Sequence, residues 1–326
     1  MEELLHGARK LTQASLPTKS AAIAPIHVIA GPTAIGKSAI GLKLAQILNG
    51  EIISADSRQI YKELSIGTAK PSSHELANIP HHFIDELSLG EPYSAGLFAE
   101  QASKRINKIF ENGRTPIVVG GSTLYLHALV HGLSPVPSSN PTVRADIEER
   151  LIKIGKNALY QELCKVDPQS AKTMDPSKTA RVVRALEVYE IAGTPLSELQ
   201  RKPAPPQHKY CVTVLTLDRP TLYQRIENRV DYMLEDGLID EVRRIRTLNI
   251  DPTFPALKSI GYQEPLSYLD GLSTWNHMVE LIKRNSRRYA KRQMTWFRRY
   301  QSYQNVNIHQ SLEDTIDNIL SKSNNY

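Results

Sequence analysis

The residues from Gly31 to Ser38 have the composition of a loop that binds phosphate groups. They match the pattern Gly-x4-Gly-Lys-Ser/Thr in full, directly after a predicted strand and at the start of a predicted helix. The loop comprises Gly31, Pro32, Thr33, Ala34, Ile35, Gly36, Lys37 and Ser38. In such a loop, backbone N–H groups and the positive end of the helix bind phosphate oxygens, the lysine adds a full charge, and the serine hydroxyl can bind Mg²⁺. The pattern predicts a site for a diphosphate or polyphosphate, and it leaves the ester open, because a kinase or an ATPase would use the same loop.

Polar residues also follow two other predicted strands. Asp56 comes after the strand-like run 51–55, and Ser122 comes after Gly120 and Gly121 at the end of another run. The carboxyl ends of parallel strands form the ligand crevice of an open sheet, so we expect both side chains near the loop. Asp56 could bind Mg²⁺, act as a general base or cap the turn that follows it. Ser122 could bind a phosphate oxygen or cap the helix that starts just after it.

The segment 283–299 is strongly basic. It contains eight lysines and arginines and no acid in seventeen residues, within a chain whose formal charge is +6. On a helix, one side of the segment would carry Arg284, Arg287, Arg288 and Lys291. A solvated helix face usually mixes acids with bases, so this pattern favours binding to a nucleic-acid phosphate backbone. Trp296 and Phe297 would either stack on a base or pack into the core.

The elements that must position these residues alternate along the chain. Apolar runs at 26–30, 51–55, 116–119 and 210–217 are typical of buried strands, and helical patterns separate them. One such helix is predicted at 95–111, with inward-facing side chains at Leu97, Ile106 and Ile109. Alternating strands and helices predict an α/β fold with a parallel sheet flanked by helices.

Two groups of prolines bracket a stretch at about 142–200 that has a helical pattern and no clear strand. We interpret this stretch as an all-helical insertion domain between proline-rich hinges. The predicted organisation is a tail at 1–24, the first part of the core at 25–135, the insertion at 136–206, the second part of the core at 207–300, and a polar tail at 301–326.

The composition excludes several classes of protein. The chain has two cysteines, Cys164 and Cys211, which is too few for a disulfide framework or a zinc site and indicates a reducing, cytoplasmic environment. No apolar run is long enough to span a membrane, and the N-terminus lacks the pattern of a secretory signal. Nothing in the sequence requires a partner subunit, so we expect a monomer.

Taken together, the motifs resemble those of the tRNA dimethylallyltransferases, also called tRNA isopentenyltransferases. The resemblance extends from the loop nearly to Arg299. Besides the loop, it rests on the segments 56–61, 66–71, 80–85, 93–94, 119–121, 181–188, 225–233, 260–262 and 290–298. Departures are few: Ile35 stands where the family often has a small residue, and Ser122 stands where it has threonine.

The resemblance implies a P-loop NTPase-like core with the helical insertion, and transfer of a dimethylallyl group from its diphosphate to N6 of the adenosine at tRNA position 37, next to the anticodon. It implies that Asp56 is the general base. Lys37, the loop amides, Mg²⁺ on Ser38, and Arg229 would neutralise the diphosphate that leaves, and Ser122 would also contact it. The implied partners are tRNA, through its anticodon stem-loop, and dimethylallyl diphosphate.

The resemblance also implies a set of tRNA contacts. In the core these are Asp56, Ser57, Arg58, Gln59, Lys258, Ser259, Ile260, Gly261, Tyr262 and Gln263. In the insertion they are Arg144, Ala180, Arg181, Val182, Val183 and Arg184. In the basic segment they are Lys291, Arg292, Gln293, Met294, Thr295, Trp296, Phe297 and Arg298.

Three other functions stay open at this point. An adenylate prenyltransferase would alkylate free AMP or ATP, although it would need neither the insertion nor the basic segment. A nucleotide kinase would use the loop for a γ-phosphoryl group. An RNA-binding module with a vestigial loop would catalyse nothing.

Overall fold

The computed structural model describes residues 25–201, 204–308 and 311–323. Its centre is a six-stranded sheet in the order β3-β2-β4-β1-β5-β6, in which all pairings are parallel. The strands are β1 (Ile26–Ala30), β2 (Gly50–Ala55), β3 (His81–His82), β4 (Thr115–Gly120), β5 (Tyr210–Thr216) and β6 (Gln304–Asn307). The four strands predicted from apolar runs are confirmed within one residue at each end, whereas the predicted tail at 1–24 lies outside the described residues.

The helices cover both faces of this sheet. In the first half of the chain they are α1 (Lys37–Ile47), α2 (Ser73–Asn78), α3 (Ala95–Glu111), α4 (Thr123–His131), α5 (Pro141–Val166), α6 (Pro168–Thr173) and α7 (Thr179–Ala192). They continue with α8 (Leu196–Leu199), α9 (Arg219–Glu235), α10 (Leu238–Arg246), α11 (Gln263–Leu269), α12 (Trp275–Phe297) and α13 (Leu312–Ser323).

Successive strand residues point to opposite faces, and both faces are buried. Val28 packs in the cluster that contains α3 and α4 side chains, whereas Ile29 packs in the cluster that contains α1 and α13 side chains. The predicted α/β architecture is therefore confirmed as three layers, with the sheet in the middle.

One inward-facing residue of α3 was predicted wrongly. Ile106 and Ile109 are buried as expected, but 44% of Leu97 is exposed. Ser94 caps the helix by accepting a hydrogen bond from the backbone N–H of Leu97 at 3.2 Å. Phe98 in the same turn is fully buried, so the core-facing side of α3 passes through Phe98, Ile106 and Ile109 and leaves Leu97 beside it.

The region predicted as an insertion contains only helices, α5 to α8. Their apolar side chains form a cluster that includes Ile147, Leu163 and Val183 and is separate from the two clusters on the sheet. Helix α5 is kinked at Gly155, whose φ of 79° is unusual inside a helix. A separate core supports the interpretation as a domain, and its exact limits stay a prediction.

The segment predicted as a polar tail is part of the fold. β6 pairs with β5, and α13 packs on the sheet with Ile316 and Ile319 buried, while Val306 of β6 is 1% exposed. The prediction of a tail was wrong for these residues because few apolar side chains, widely spaced among polar ones, are enough to cover a sheet edge. Within the part of the chain that the structure describes, no helix has the length and apolar character needed to cross a membrane.

Candidate active site

The carboxyl ends of three neighbouring strands are level with one another. Ala30 of β1 and Ala55 of β2 both lie opposite Gly120 of β4. Gly120 must be a glycine, because a Cβ there would lie 2.2 Å from the carbonyl oxygen of Ala55. This register brings the phosphate loop, the turn at Asp56 and the Gly-Gly-Ser segment to one edge, as the sequence predicted.

The loop runs from the end of β1 into α1 and has the backbone that phosphate binding requires. Gly36 occupies the N-cap of α1 with φ of 97°, in the left-handed region that favours glycine. The Lys37 ammonium donates a hydrogen bond to the Pro32 carbonyl at 2.8 Å, inside the curve of the loop. Ile35 is fully buried and fixes the loop against the core. Burial lowers the pKa of Lys37 to about 8, with the Arg229 charge adding to this change and the Asp56 charge opposing it.

Arg229 reaches the loop from α9. Its Nη1 donates to the hydroxyl of Thr33 and its Nη2 donates to the carbonyl of Thr68, both at 3.4 Å. Burial lowers the pKa of Arg229, and the negative charge of Asp56 opposes that change. A second cation therefore stands beside Lys37, where a diphosphate in the loop would carry its charge.

Asp56 begins the turn after β2. Its Oδ1 accepts hydrogen bonds from the backbone N–H groups of Arg58 at 2.8 Å and Gln59 at 3.4 Å. The turn-capping role considered for Asp56 is therefore present in the structure. Because both bonds go to Oδ1, the second oxygen can accept a proton without breaking the turn.

Ser122 holds that turn from the neighbouring strand. Its hydroxyl accepts a hydrogen bond from the Ser57 backbone N–H at 2.9 Å and lies 3.3 Å from the Ser57 hydroxyl. It stands at the N-cap of α4 but caps no N–H of that helix. The capping role considered for Ser122 is therefore not seen, whereas its contact with a phosphate stays a prediction, and the side chain ties β4 to the turn after β2.

Arg58 and Gln59 extend outwards from the turn. The Arg58 guanidinium donates to the Ser259 hydroxyl and, at 3.2 Å, to the Pro255 carbonyl. Gln59 donates to the Thr68 carbonyl at 3.2 Å. The turn therefore joins the segment before α11 to the segment after residue 64.

A buried carboxylate fixes the segment that carries Thr68. Glu241 is 3% exposed and accepts hydrogen bonds from the backbone N–H groups of residues 65–67, the shortest at 2.8 Å from Ile66. It also accepts one from the Tyr262 hydroxyl at 2.8 Å. A buried carboxylate is tolerated only with several donors around it, so this network holds the segment in one conformation.

Two cavities meet at these residues. The loop cavity, of about 100 Å³, is lined by Lys37, Ser38, Gly121 and their neighbours. The outer cavity, of about 270 Å³, is lined by the Asp56 turn and by residues 258–262, with apolar side chains from α9 and α12. The residues that border both cavities are Thr33, Asp56, Thr68, Arg229 and Tyr289.

Thr68 and Tyr289 were not predicted as site residues, and neither was the apolar lining formed by Ile226, Val230, Met233 and Ile282. The apolar residues repeat at helical spacing, which predicts only a core-facing side. Tyr289 stands within the basic segment, where aromatic residues were considered only from 296 onwards. Tyr289 stands four residues before Gln293, which was predicted as a site residue. Because residues four apart share a helix face, this spacing could have identified Tyr289 as a site residue as well.

Several predicted tRNA contacts have buried side chains. Val182 and Val183 belong to the core of the insertion, Tyr262 and Phe297 to the main core, and Gln293 is 2% exposed. These side chains pack the helices instead of facing solvent, although Tyr262 also lines the outer cavity and Gln293 the loop cavity, and their contacts with tRNA stay a prediction. The remaining candidates are exposed or half-buried: Ser57, Arg58, Gln59, Arg144, Ala180, Arg181, Arg184, Lys258, Ser259, Ile260, Gln263, Lys291, Arg292, Met294, Thr295, Trp296 and Arg298. Gly261, which has no side chain, is buried and lines the outer cavity.

The basic helix is divided between internal and exposed charges. Lys283 forms an ion pair with Asp231 at 2.7 Å and Arg287 forms one with Glu227, so both are directed at α9. The exposed cations of α12 and the residues after it are Arg284, Arg288, Lys291, Arg292, Arg298 and Arg299. The expectation that Arg287 belongs to the phosphate-binding side is corrected by its pairing.

In the insertion, two of the three predicted arginines pair with one carboxylate. Arg184 contacts Glu187 at 2.9 Å and also donates to the Pro137 carbonyl, while Arg144 lies 3.9 Å from the same Glu187. Glu187 is fully buried, so it holds both side chains near the hinge. Arg181 is exposed on α7.

Comparison with known proteins shows the family of the chain. The family model described as IPP transferase matches residues 59–300. The chain belongs to the IPP transferase family. This finding confirms the resemblance seen in the sequence.

The similar IPP transferases cover most of the chain. A tRNA dimethylallyltransferase of Salinibacter ruber is 52% identical over 280 residues, which are 86% of each chain. One from Pelodictyon phaeoclathratiforme is 45% identical over 279 residues, covering 83% of this chain and 88% of the relative.

Solved structures agree with this assignment. The tRNA isopentenylpyrophosphate transferase of Bacillus halodurans is 36% identical and covers 92% of this chain and 97% of its own, with a TM-score of 0.68. A eukaryotic dimethylallyltransferase acting on tRNA is 30% identical and covers 87% of this chain and 74% of its own, with a TM-score of 0.74.

Proposed function

We propose that this IPP transferase transfers a dimethylallyl group from dimethylallyl diphosphate to N6 of the adenosine at position 37 of tRNA, 3′ of the anticodon, and releases diphosphate. The observation that carries the proposal is the meeting of the two cavities at Asp56 and Arg229. One cavity has the charges for a diphosphate, and the other is open, partly apolar and large enough for a base. The names of the relatives from Salinibacter ruber and Pelodictyon phaeoclathratiforme support this acceptor and donor.

In the loop cavity, the loop amides would donate hydrogen bonds to the diphosphate, and Lys37 would form an ion pair with it. Arg229 would reach it from the side that faces the outer cavity. As the C1–O bond of the donor breaks, the bonding electrons leave with the diphosphate, and these cations neutralise the added charge. The group in the loop is thus a leaving group in this reaction, and no phosphoryl group is transferred.

Mg²⁺ fits this site as an ion held mainly by the substrate. Ser38 offers one hydroxyl at the start of α1, and among the described residues no cluster of three or more histidines, cysteines or acids could hold a metal. Magnesium sites commonly combine one or two protein ligands with substrate phosphates and water. When bound, the ion would add positive charge to the diphosphate oxygens, with Ser38 as its protein ligand.

In the outer cavity, the adenine would place N6 next to the Asp56 carboxylate. The N6 lone pair is delocalised into the ring, so the amine is a weak nucleophile until its proton is removed. As the N6–C1 bond forms, the free oxygen of Asp56 accepts the proton while the other oxygen keeps the turn intact. The base must leave the anticodon-loop stack to reach this cavity.

The exposed cations of the basic helix, together with Arg58 and Lys258 at the mouth of the outer cavity, would contact the tRNA backbone. Arg181 would extend this surface into the insertion. We further propose that the chain acts as a monomer, because its own residues line both cavities, and that it acts in the cytoplasm, where its tRNA acceptor would be.

A direct test compares acceptors. The protein is incubated with dimethylallyl diphosphate, Mg²⁺ and an unmodified tRNA transcript with adenosine at position 37, and the digested nucleosides are analysed by mass spectrometry. We expect one N6-dimethylallyladenosine per transcript and none in a transcript with guanosine at that position. Product on free AMP without product on tRNA would instead show an adenylate prenyltransferase, and ATP turnover without the prenyl donor would show a kinase.

A further inference from the structure

We infer that Gln293 couples the RNA-binding helix α12 to the phosphate loop, so that occupancy of one substrate site changes the affinity of the other. This inference rests on the proposed function, because it takes the exposed cations of α12 as tRNA contacts. Gln293 lines the loop cavity with both polar atoms of its side chain already hydrogen-bonded to protein, and it acts in this scheme as a positioning residue.

The Gln293 side chain bridges two strand ends that belong to the donor site. Its Oε1 accepts a hydrogen bond from the Thr33 backbone N–H of the loop at 2.9 Å, and its Nε2 donates to the Gly121 carbonyl at 2.8 Å. With 2% of its surface exposed, the amide has no water to replace these partners. A Cβ on Gly121 would lie 2.6 Å from Nε2, so the close approach also depends on that glycine.

The amide chemistry of this residue matches the two partners. One partner is a donor and the other is an acceptor, and a carboxamide supplies one group for each. A glutamate of the same size would keep the bond from Thr33 but would place a second acceptor against the Gly121 carbonyl. An asparagine would keep the amide but would be one methylene too short to reach both.

The helix around Gln293 faces the other substrate. Lys291 and Arg292, immediately before it, are exposed cations. Tyr289, one turn earlier, borders both cavities. A displacement of α12 by bound RNA therefore changes the position of the Thr33 amide and of the wall between the cavities together.

A second connection leads from α12 to the other diphosphate contact. The ion pairs Arg287–Glu227 and Lys283–Asp231 attach the helix to α9, which carries Arg229. Thr33, in turn, accepts a hydrogen bond from Arg229. The loop, α9 and α12 are thus joined by a continuous chain of hydrogen bonds and ion pairs, and such networks carry coupling between binding sites.

The test is a thermodynamic cycle with substrates that do not react. Calorimetry measures the dissociation constant of dimethylallyl thiolodiphosphate, an inert donor analogue, with and without a saturating anticodon stem-loop that contains the target adenosine. In the unsubstituted protein we expect the RNA to tighten analogue binding by about five-fold or more, the usual lower range of allosteric coupling. By linkage, the analogue tightens RNA binding by the same factor.

In Gln293→Glu and Gln293→Asn, we expect the factor by which RNA tightens analogue binding to fall below about two. Asn276→Ala, which changes an exposed residue near the start of α12, is the matched control and keeps the factor of the unsubstituted protein. Two variants are used because either could fail to fold, which thermal unfolding would reveal. A purely structural role would weaken analogue binding equally with and without RNA and leave the factor unchanged.

An unchanged factor in a folded Gln293 variant would overturn the inference, as would a factor of one in the unsubstituted protein while RNA still binds and is prenylated. Those results leave the proposed function intact. Absence of both RNA binding and product on tRNA would overturn the proposed function and the inference with it.

Discussion

Asp56 and Arg229 border both cavities of the site, and their opposite charges act on each other there. Burial lowers the pKa of Arg229, and the Asp56 carboxylate opposes that change. The proposed base and a proposed contact of the leaving group are therefore coupled before any substrate binds. A substitution of either residue acts on the electrostatics of the other, so variants must be chosen to separate charge from geometry.

Asp56→Asn is the variant that separates these two effects. The asparagine oxygen can still accept the N–H groups of Arg58 and Gln59, so the turn is retained, but the side chain can no longer accept the proton. We expect single-turnover prenylation of tRNA to slow by about 10²–10⁴-fold, the usual contribution of a general base. RNA affinity, measured by filter binding, should change by less than about two-fold. Retention of more than about a tenth of the rate would show that Asp56 is mainly a structural residue.

Lys37 makes donor binding depend on pH. Its pKa of about 8 in the free protein is lowered from the ordinary lysine value, chiefly by burial, and a bound diphosphate favours the charged form and raises it again. Binding at pH 8 should therefore take up a proton, and affinity should fall as the pH rises above about 8. Calorimetry in two buffers of different ionisation enthalpy measures this uptake. In the Lys37→Arg variant the guanidinium stays charged at this pH, so the donor should bind without proton uptake. Equal uptake in both proteins would assign the proton to another group.

Local patterns were sufficient to predict the loop, the strands and the edge at which they meet. The loop sequence, the apolar runs and the rule for parallel sheets are enough to predict that Lys37, Asp56 and Ser122 lie together. These signals are contained in a few consecutive residues, and the alternation of strand and helix then fixes the layers.

Contacts between distant parts of the chain could not be predicted in this way. Gln293 bonds to Thr33, which is 260 residues away, and Ser122 bonds to Ser57 across 65 residues. Charge patterning treated α12 as one basic surface, because the acids that pair with Arg287 and Lys283 stand on α9. The partner of a side chain decides its role, and the partner is set by packing.

Tyr289 should matter through its ring. Burial and the Asp56 charge raise the pKa of Tyr289 to about 12, so its hydroxyl stays neutral at the pH of the assay. Tyr289 lines both cavities, where the transferred group of the proposed reaction would pass. We expect Tyr289→Phe to keep the turnover number within about three-fold and Tyr289→Leu to lower it by about 10²-fold, the cost of a small misplacement of reacting groups. Steady-state kinetics with tRNA decide this, and a larger loss in the phenylalanine variant would assign the role to the hydroxyl.

The paired and exposed arginines of α12 should respond differently to salt. Each cation that contacts a tRNA phosphate releases counterions, so log affinity falls with log salt concentration. Removing one such cation should make this negative slope shallower by about one. Arg288 is exposed, whereas its neighbour Arg287 is held in an ion pair with Glu227. We therefore expect Arg288→Gln to reduce the slope and Arg287→Gln to leave it unchanged, as measured by filter binding of tRNA from about 50 to 200 mM salt. The two variants remove the same charge from adjacent positions, so equal slopes would show that the ion pair opens when tRNA binds and that both faces of the helix contact the RNA.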